Sequence, residues 1–582
     1  MKRLLAAVTV LVVSTTQADT IYVDDDAPLG GDGLSWETAY RFLQDALANA
    51  VAGTEIRVGQ GVYKPDQDEA GGVTPGDRTA TFQLLGGVAL MGGYAGTDAP
   101  DPDERDIDQY ETILSGDLLG DDAPDFQNND ENSYHVLLGD ITAGTAVLNG
   151  VAVNGGNADG NQDQARGGAL YSTTGDFAIT DCTFNGNAAI SFGGGLFVQG
   201  TTTQISNCTF DGNAGGRGGA MSIGGSVTLS DCIFVGSPSG GAVRHGGTLI
   251  AIRCEFVGNT AGVHDQRHGG GVANYGDALY VACRFAGNSA SGRGGGLYVF
   301  TGDVTIVNSL FHDNQGHLGG AAMLYSDTTR FFNCTLSQNT AADGGGLYSS
   351  GGFAELVNTI VWANTATSCD QIRPWELAPP VVAYCDIQGG WPGIGNIDSD
   401  PLFVDAAAGD YRLSLGSACL EGGRCVDLPT DDLDLDGNER VINTAIDMGP
   451  YEFQAPPIPP GDLDRDSIVG VSDFILLLAG WGPCCRGDLN SDGMIDQDDL
   501  NLLLKILGPC PKAGPCPGDL DDDGDIDPDD ALRLVDGFGG CAPCSNVPDA
   551  TLSNLVERCP GDVNQDGVTD IADFLTLLTN WD

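Results

Sequence analysis

Four acidic runs in the C-terminal quarter of this 582-residue sequence repeat one spacing of oxygen-bearing side chains. The first holds Asp462, Asp464, Asp466 and Asp473; the second Asp488, Asn490, Asp492, Asp496 and Asp499. The third holds Asp519, Asp521, Asp523, Asp527 and Asp530, and the fourth Asp562, Asn564, Asp566, Asp570 and Asp573. Counted from the first Asp, oxygens fall at loop positions 1, 3, 5 and 12, and the last three runs add position 9. Such a set suits a hard divalent cation taking roughly six to eight oxygens, which points to Ca2+ as the cofactor. Gly493, Gly524 and Gly567 supply the sharp bend at position 6, where the first run has Ser467 and should bind more weakly. Each loop leads into an apolar stretch of helical character, such as Phe474 to Leu478, Leu500 to Leu507 or Phe574 to Leu578. An acidic, disordered linker would share the composition but not four copies of the spacing.

The loop-then-helix unit, Asp at position 12 and the absence of an entering helix resemble type I dockerin repeats. In that family, paired repeats bind a cohesin module and fasten secreted proteins to a scaffold or cell surface. Here there are four copies, starting 26, 31 and 43 residues apart. Positions 10 and 11 read Val471-Ser472, Gln497-Asp498, Pro528-Asp529 and Ile571-Ala572, where cohesin-binding members often carry Ser or Thr pairs. The resemblance implies calcium binding and an extracellular protein partner, cohesin-like or of another kind.

A second chemical grouping lies mid-chain. His264, Asp265, Arg267 and His268 fall together, and Arg217 and Arg293 precede the same glycine signature as His268 does. Stacking would bring His268 and Arg293 close, where they could grip an acidic sugar or move a proton; a solvated loop whose arginines offset nearby Asp is the plainer alternative. His264, Asp265, His268 and Arg293 are thus the candidates for catalysis, and the catalytic set is otherwise unassigned. Asp181 and Asp231 share a repeat position two rungs apart, roughly 10 Å, within reach of an inverting carboxylate pair. That position is Asn207, Arg253 and Ala282 in other rungs, however, and Asp or Asn there also closes turns.

These residues must be positioned by a repeat. Gly167-Gly168-Ala169-Leu170 returns as Gly193-Gly194-Gly195-Leu196 and recurs at Gly218, Gly240, Gly269, Gly294, Gly319 and Gly344, in steps of 22 to 29 residues. Between the glycines, Cys182, Phe184 and Asn187 are matched by Cys208, Phe210 and Asn213, by Cys254, Phe256 and Asn259, and by Cys283, Phe285 and Asn288. Weaker versions follow at Phe311/Asn314, Leu336/Asn339 and Val361/Asn364. One turn of a parallel β-helix needs this length. The stacking puts Phe and Cys inside and bonds each Asn to the Asn above and below, with glycine at the corner. Helical repeats fail for want of a helical period.

The paired glycine and Phe-x-x-Asn signatures, over roughly residues 148–365, resemble the β-helical repeats of chlamydial polymorphic outer-membrane proteins, which are surface adhesins. Trp36 to Ala50 reads as a helix with Phe42, Leu43, Ala46 and Leu47 on one face, covering the open end of the stack. Glu55 to Val58 then reads as the first strand, with Gly61 to Tyr63 as its turn. This opening resembles right-handed β-helix, pectate-lyase-like proteins, and Asp400-Pro401-Leu402-Phe403 and Asp447 to Glu452 resemble their last coils. The fold class is therefore mainly β: a right-handed parallel β-helix solenoid followed by a small α-helical calcium-loop region. The β-helix is assigned to 19–454, with a cap at 21–63 and C-terminal coils at 366–454. Pro-rich 455–460 is an extended linker, and 461–582 carries the calcium repeats.

Cysteine and charge bear on the compartment. Cys182, Cys208, Cys232, Cys254, Cys283 and Cys334 occupy one repeat position, which predicts a buried ladder of free thiols. In the tail, Cys485 with Cys510 and Cys516 with Cys541 bracket small units that disulfides would close, and Cys544 with Cys559 is a further pairing. Of 17 cysteines at least one stays unpaired. Lys2, Arg3, the apolar run from Leu4 to Val13 and Ala18 read as a signal peptide over 1–18, too short to span a bilayer. With 81 acidic against 25 basic side chains, nucleic acid and anionic membranes are poor partners. The sequence thus predicts a secreted, extracellular protein, cell-surface associated through its tail, with no transmembrane segment. Its function reads as surface display or adhesion. The alternative is a secreted polysaccharide lyase or glycoside hydrolase with a dockerin-like appendage, and polysaccharide is a candidate partner of the β-helix.

Overall fold

The computed structural model describes residues 19–454, apart from 201, 263–267, 326–327, 376, 425–432 and 442–444. The chain divides into two compact units. The first comprises Met1–Gly423, Leu428–Asn438 and Asp447–Tyr451 and is the one described below. Residues 1–18, expected to be a signal peptide, 455–460, expected to be a linker, the four acidic runs expected to bind calcium and the tail cysteines lie outside the described residues.

The first unit is a parallel β-solenoid. Among the described residues, a sheet of 13 strands runs from Thr20–Val23 to Val381–Ala383, one of 12 from Gly61–Tyr63 to Asp386–Ile387, and one of 11 from Phe82–Gln83 to Ile372–Arg373. One coil shows the plan: Asp176–Thr180 lies in the first sheet, Thr183–Asn185 in the second, Ala188–Phe192 in a short accessory sheet and Leu196–Val198 in the third. Three corners are left-handed, the one that follows the second sheet at Gly186, Gly212, Gly258 and Gly287 among them. Asp181, Asn207, Asp231, Arg253, Ala282, Asn308, Asn333 and Asn358 all hold φ between +48° and +55°. Asp and Asn tolerate that region better than other L-residues, which explains their frequency there. The signature glycine makes the third: Gly294 has φ +65°, and a Cβ would sit 2.2 Å from the Leu297 carbonyl oxygen.

Stacking in register fills the interior with ladders. Phe184, Phe210, Phe234, Phe256, Phe285 and Phe311 lie 4.3 to 5.0 Å apart, centroid to centroid, with rings within 14° of parallel. The amide ladder is formed as the sequence predicts. Asn288 Nδ2 donates to Asn314 Oδ1 (2.9 Å) and to the Phe256 carbonyl (2.7 Å), and its backbone N–H donates to the same Asn314 oxygen. Asn259, Asn314 and Asn339 repeat this pattern, Ser237 interrupts it, and Gln371 closes it by accepting from Asn364.

The six cysteines of the repeat are buried and carry thiols. Each of Cys182, Cys208, Cys232, Cys254 and Cys283 donates to the carbonyl two residues earlier. Where the ladder has Ser309 or Thr359, the hydroxyl makes the same bond, so the position selects a small donor rather than sulfur. Hydrogen bonding to stacked Cys232 and Cys283, with burial, holds the Cys254 thiol far above its usual range.

The N-terminal cap differs from expectation. The stretch from Trp36 is not one helix but a 3-10 turn, Trp36–Thr38, and an α-helix, Leu43–Asn49. Tyr40 between them is drawn onto the edge of the stack: its N–H donates to the Tyr22 carbonyl, and its own carbonyl accepts from Asp24. Thr20–Val23, not Glu55–Gly59, is the first strand, pairing Ile21 with Ile56. The helix still buries Leu43, Ala46 and Leu47 against the core. At the other end, Phe403–Asp405 pairs antiparallel with Asp410–Leu413, a hairpin turned by Gly409 rather than a last parallel coil. Among the described residues no helix is long and apolar enough to cross a membrane.

Two predictions follow from the interior. Since the thiolate is the reactive form, alkylation of the native chain followed by peptide mapping should label exposed Cys369 and spare the six ladder cysteines until denaturant unfolds the coils. The second concerns His245, buried at 1% exposure, which shares the Asn274 Oδ1 with the Tyr280 hydroxyl. Burial pushes its pKa from 6.5 down to about 4, with Arg244 adding to the fall and the Asn274 contact opposing it. The folded state therefore favours neutral His245: its contribution is complete above pH 6.5 and is lost as pH falls towards 4. Between those limits His245→Gln should remove about 2–3 kcal/mol of the acid-induced loss in urea-unfolding free energy relative to the unsubstituted chain.

Candidate binding face

The outer face of the 11-stranded sheet gathers the aromatic and cationic side chains. Within its strands residues alternate, so Leu196 and Val198 point inward and Phe197 outward. The outward position runs in register through Tyr171, Phe197, Ser222, Arg244, Ala273 and Tyr298. Tyr298 is only 2% exposed yet lies outside the core, because the residues preceding the signature glycines fold over this row. Among those residues are Arg166, Phe192, Arg217, His268 and Arg293; Ser239, Leu318 and Asp343 hold the same place in other rungs.

Phe192 ends its accessory strand paired with Arg217 on one side and Arg166 on the other. Its half-buried ring lies 5.0 Å from the Arg217 guanidinium, 5.4 Å from Arg244 and 5.7 Å from Arg166. Arg244 also sits 4.7 Å over Tyr275. From there the rings continue: Tyr275 lies 5.5 Å from Phe300, and Phe300 stacks on exposed Tyr325 at 5.3 Å. Burial, aided by the neighbouring charge of Arg217, lowers the pKa of Arg244, which stays cationic at neutral pH.

Of the mid-chain candidates, His264, Asp265 and Arg267 lie outside the described residues. His268 and Arg293 are brought together as sequence reasoning anticipates, paired across adjacent coils in a parallel bridge. His268 packs 4.8 Å from Tyr298, and Arg293 reaches 5.7 Å from the ring of Tyr325. Burial raises the Tyr298 phenol and contact with Arg293 opposes the rise. Phe192, Arg244, Tyr275 and Phe300 are missing from the sequence reading. A signal for part of this face was present: the glycine signature extends by one residue to Tyr171, Phe197, Tyr298 and Tyr348.

The carboxylates at the first corner are held by neighbouring rungs. Asp181 accepts from Asn149 (2.9 Å) and Asn207 (2.6 Å), and Asp231 forms a two-point pair with Arg253 at 2.6 and 2.7 Å. Among the described residues, Asp24–Asp26 and Asp117 with Asp121 and Glu131 are close enough to hold a cation. Asp24 already accepts from the N–H groups of Asp26 and Thr97, and Asp117 from those of Gly120 and Asp122.

Residues 167–365 match the family model described as the right-handed β-helix region, which gives the solenoid its hand. No curated protein matches the chain. Solved structures similar to it include a complex of XylC with xylose, at 10% identity and a TM-score of 0.41, covering 75% of this chain and 99% of that one. The pectate lyase Pel9A is similar at 12% identity and a TM-score of 0.39, covering 75% and 96%. A rhamnogalacturonan lyase is similar at 16% and 0.37, covering 72% and 97%.

The corner carboxylates generate a prediction. Asp181→Asn keeps an acceptor for Asn207, and Asp231→Asn loses only a surface pair, so each should shift the urea-unfolding free energy by less than about 1 kcal/mol.

Proposed function

We propose that this chain is an extracellular binding protein of the surface-display type, in which the β-helix presents a ligand face and the C-terminal calcium repeats fasten it to an extracellular or cell-surface partner. One observation carries the reading for the β-helix: the side chains that vary from rung to rung gather as aromatic rings and guanidiniums on one lateral face, while the corner carboxylates are occupied in holding turns. A rigid stack with such a flank offers many weak contacts along an extended ligand. For the tail, four copies of the position 1, 3, 5 and 12 oxygen pattern support calcium binding. A protein partner is the reading that their resemblance to dockerin repeats favours, a cohesin-like module among the options.

The second reading is a secreted polysaccharide lyase or glycoside hydrolase. The neighbouring His268 and Arg293, beside Tyr298, favour it, since an imidazole and a guanidinium could share proton transfer and charge stabilisation on an acidic sugar.

The test takes the full secreted chain, with calcium or with chelator, against pectate, alginate and neutral glucans, reading unsaturated and reducing ends. The binding reading expects no cleavage of any polymer, and calcium-dependent capture of a surface protein that is lost with Asp492→Ala and Asp566→Ala together. Cleavage abolished by His268→Ala or Arg293→Ala would replace this reading with the enzymatic one.

A further inference from the structure

We infer that the Phe192 ring and the guanidiniums of Arg166, Arg217 and Arg244 form a binding site for the charged groups of an acidic polysaccharide, whose chain continues over Tyr275 and Phe300 towards Tyr325. This rests on the reading of the β-helix as a ligand-presenting body and names the ligand's chemistry.

The first argument is charge. The chain carries 81 acidic and 25 basic side chains, so a cation on its surface should find a carboxylate readily. Elsewhere that is so: Arg57 pairs with Glu55 and Asp103, Arg253 with Asp231, and Arg412 with Asp410 and Asp436. Among the described residues, no carboxylate lies within ion-pair distance of Arg217, Arg244 or Arg293. Arg217 and Arg244 instead face the same ring, and the charge of Arg217 adds to the cost of charging Arg244. Arg166 has Asp163 at 3.6 Å, whereas among the described residues Arg217 and Arg244 have no such counter-charge, and an anion would relieve them. Guanidinium suits carboxylate or sulfate because its planar fork can donate two hydrogen bonds at once.

The second argument is the shape and surface of the rest. From the strand of Tyr171 to that of Leu324 there are six rung steps, roughly 29 Å at the strand spacing. Tyr275 and Phe300, both half-buried, lead along this line to Tyr325, whose ring is exposed. Aromatic faces are electron-rich and attract the polarised C–H groups of a pyranose ring, whereas an acidic peptide offers no comparable repeating surface. Arginines at one end and rings at the other match a polymer that is both saccharide and anion.

The test uses the full chain with calcium, titrated by calorimetry with oligomers of galacturonate and of dextran sulfate, and in parallel with neutral glucan oligomers and poly-glutamate. The expected result is binding of at least one anionic oligomer at least tenfold tighter than of neutral ones, weakening with added salt. Arg217→Gln with Arg244→Gln should lose at least tenfold of that affinity. Arg217→Lys with Arg244→Lys should retain part of it, and Phe192→Leu should weaken it at unchanged melting temperature. Arg253→Gln, on another face, should bind as the unsubstituted chain does. Equal affinity for neutral oligomers, full binding by the double Gln variant, or poly-glutamate binding as tightly would each overturn the assignment. Unsaturated or new reducing ends appearing during the titration would overturn the non-catalytic reading while leaving these residues as the substrate site.

Discussion

Everything in the β-helix depends on the backbone ladder that sets each coil about 4.8 Å above the last. That spacing is shorter than most side chains are wide, so a repeat position can be kept only if its residue tolerates its own copy directly above. Phenylalanine does so by stacking flat, as the run from Phe184 to Phe311 shows. Asparagine does so because its amide carries a donor and an acceptor, and one rung's Nδ2 reaches the next rung's Oδ1. A thiol or hydroxyl does so by turning its hydrogen to a carbonyl of its own rung. A charge does not, and among the described residues the core cluster of the repeat holds none.

The same constraint decides what was legible in the sequence. Cys182, Phe184, Asn187 and Gly193 recur because the ladder forces identity there, so spacing alone revealed the solenoid, its buried thiols and its amide rows. The cap was less legible. Leu43, Ala46 and Leu47 announce a helix, but Tyr40 is held extended by Tyr22 and Asp24, long-range bonds that a local period cannot express. The hairpin of Phe403 and Leu413 was not legible for a related reason: outside the repeat, nothing in the spacing says whether a strand's partner is parallel or antiparallel.

The lateral face was only half legible. His268 and Arg293 drew attention because they precede the signature glycine, and the ladder does bring them together. Phe192 occupies the same position without looking like chemistry, and Arg244 stands one strand further on, where other rungs have Tyr171 or Tyr298. Only folding shows that side chains from these two positions overlie each other.

The rung spacing also limits what this face can do. Cationic side chains at adjacent outward positions would stand close enough to repel, and here an aromatic ring lies between them: Phe192 between Arg166 and Arg217, and Tyr275 beyond Arg244. The quadrupole of each ring offsets part of the repulsion, while the cations shield the ring from water. The backbone ladder fixes where each of these side chains leaves the sheet before any ligand arrives. Under the proposed binding reading, a backbone fixed in this way loses little conformational entropy, and more of the cost falls on the ligand. That favours a stiff, repetitive ligand over a flexible one, which is the property a polysaccharide chain shares with the solenoid itself.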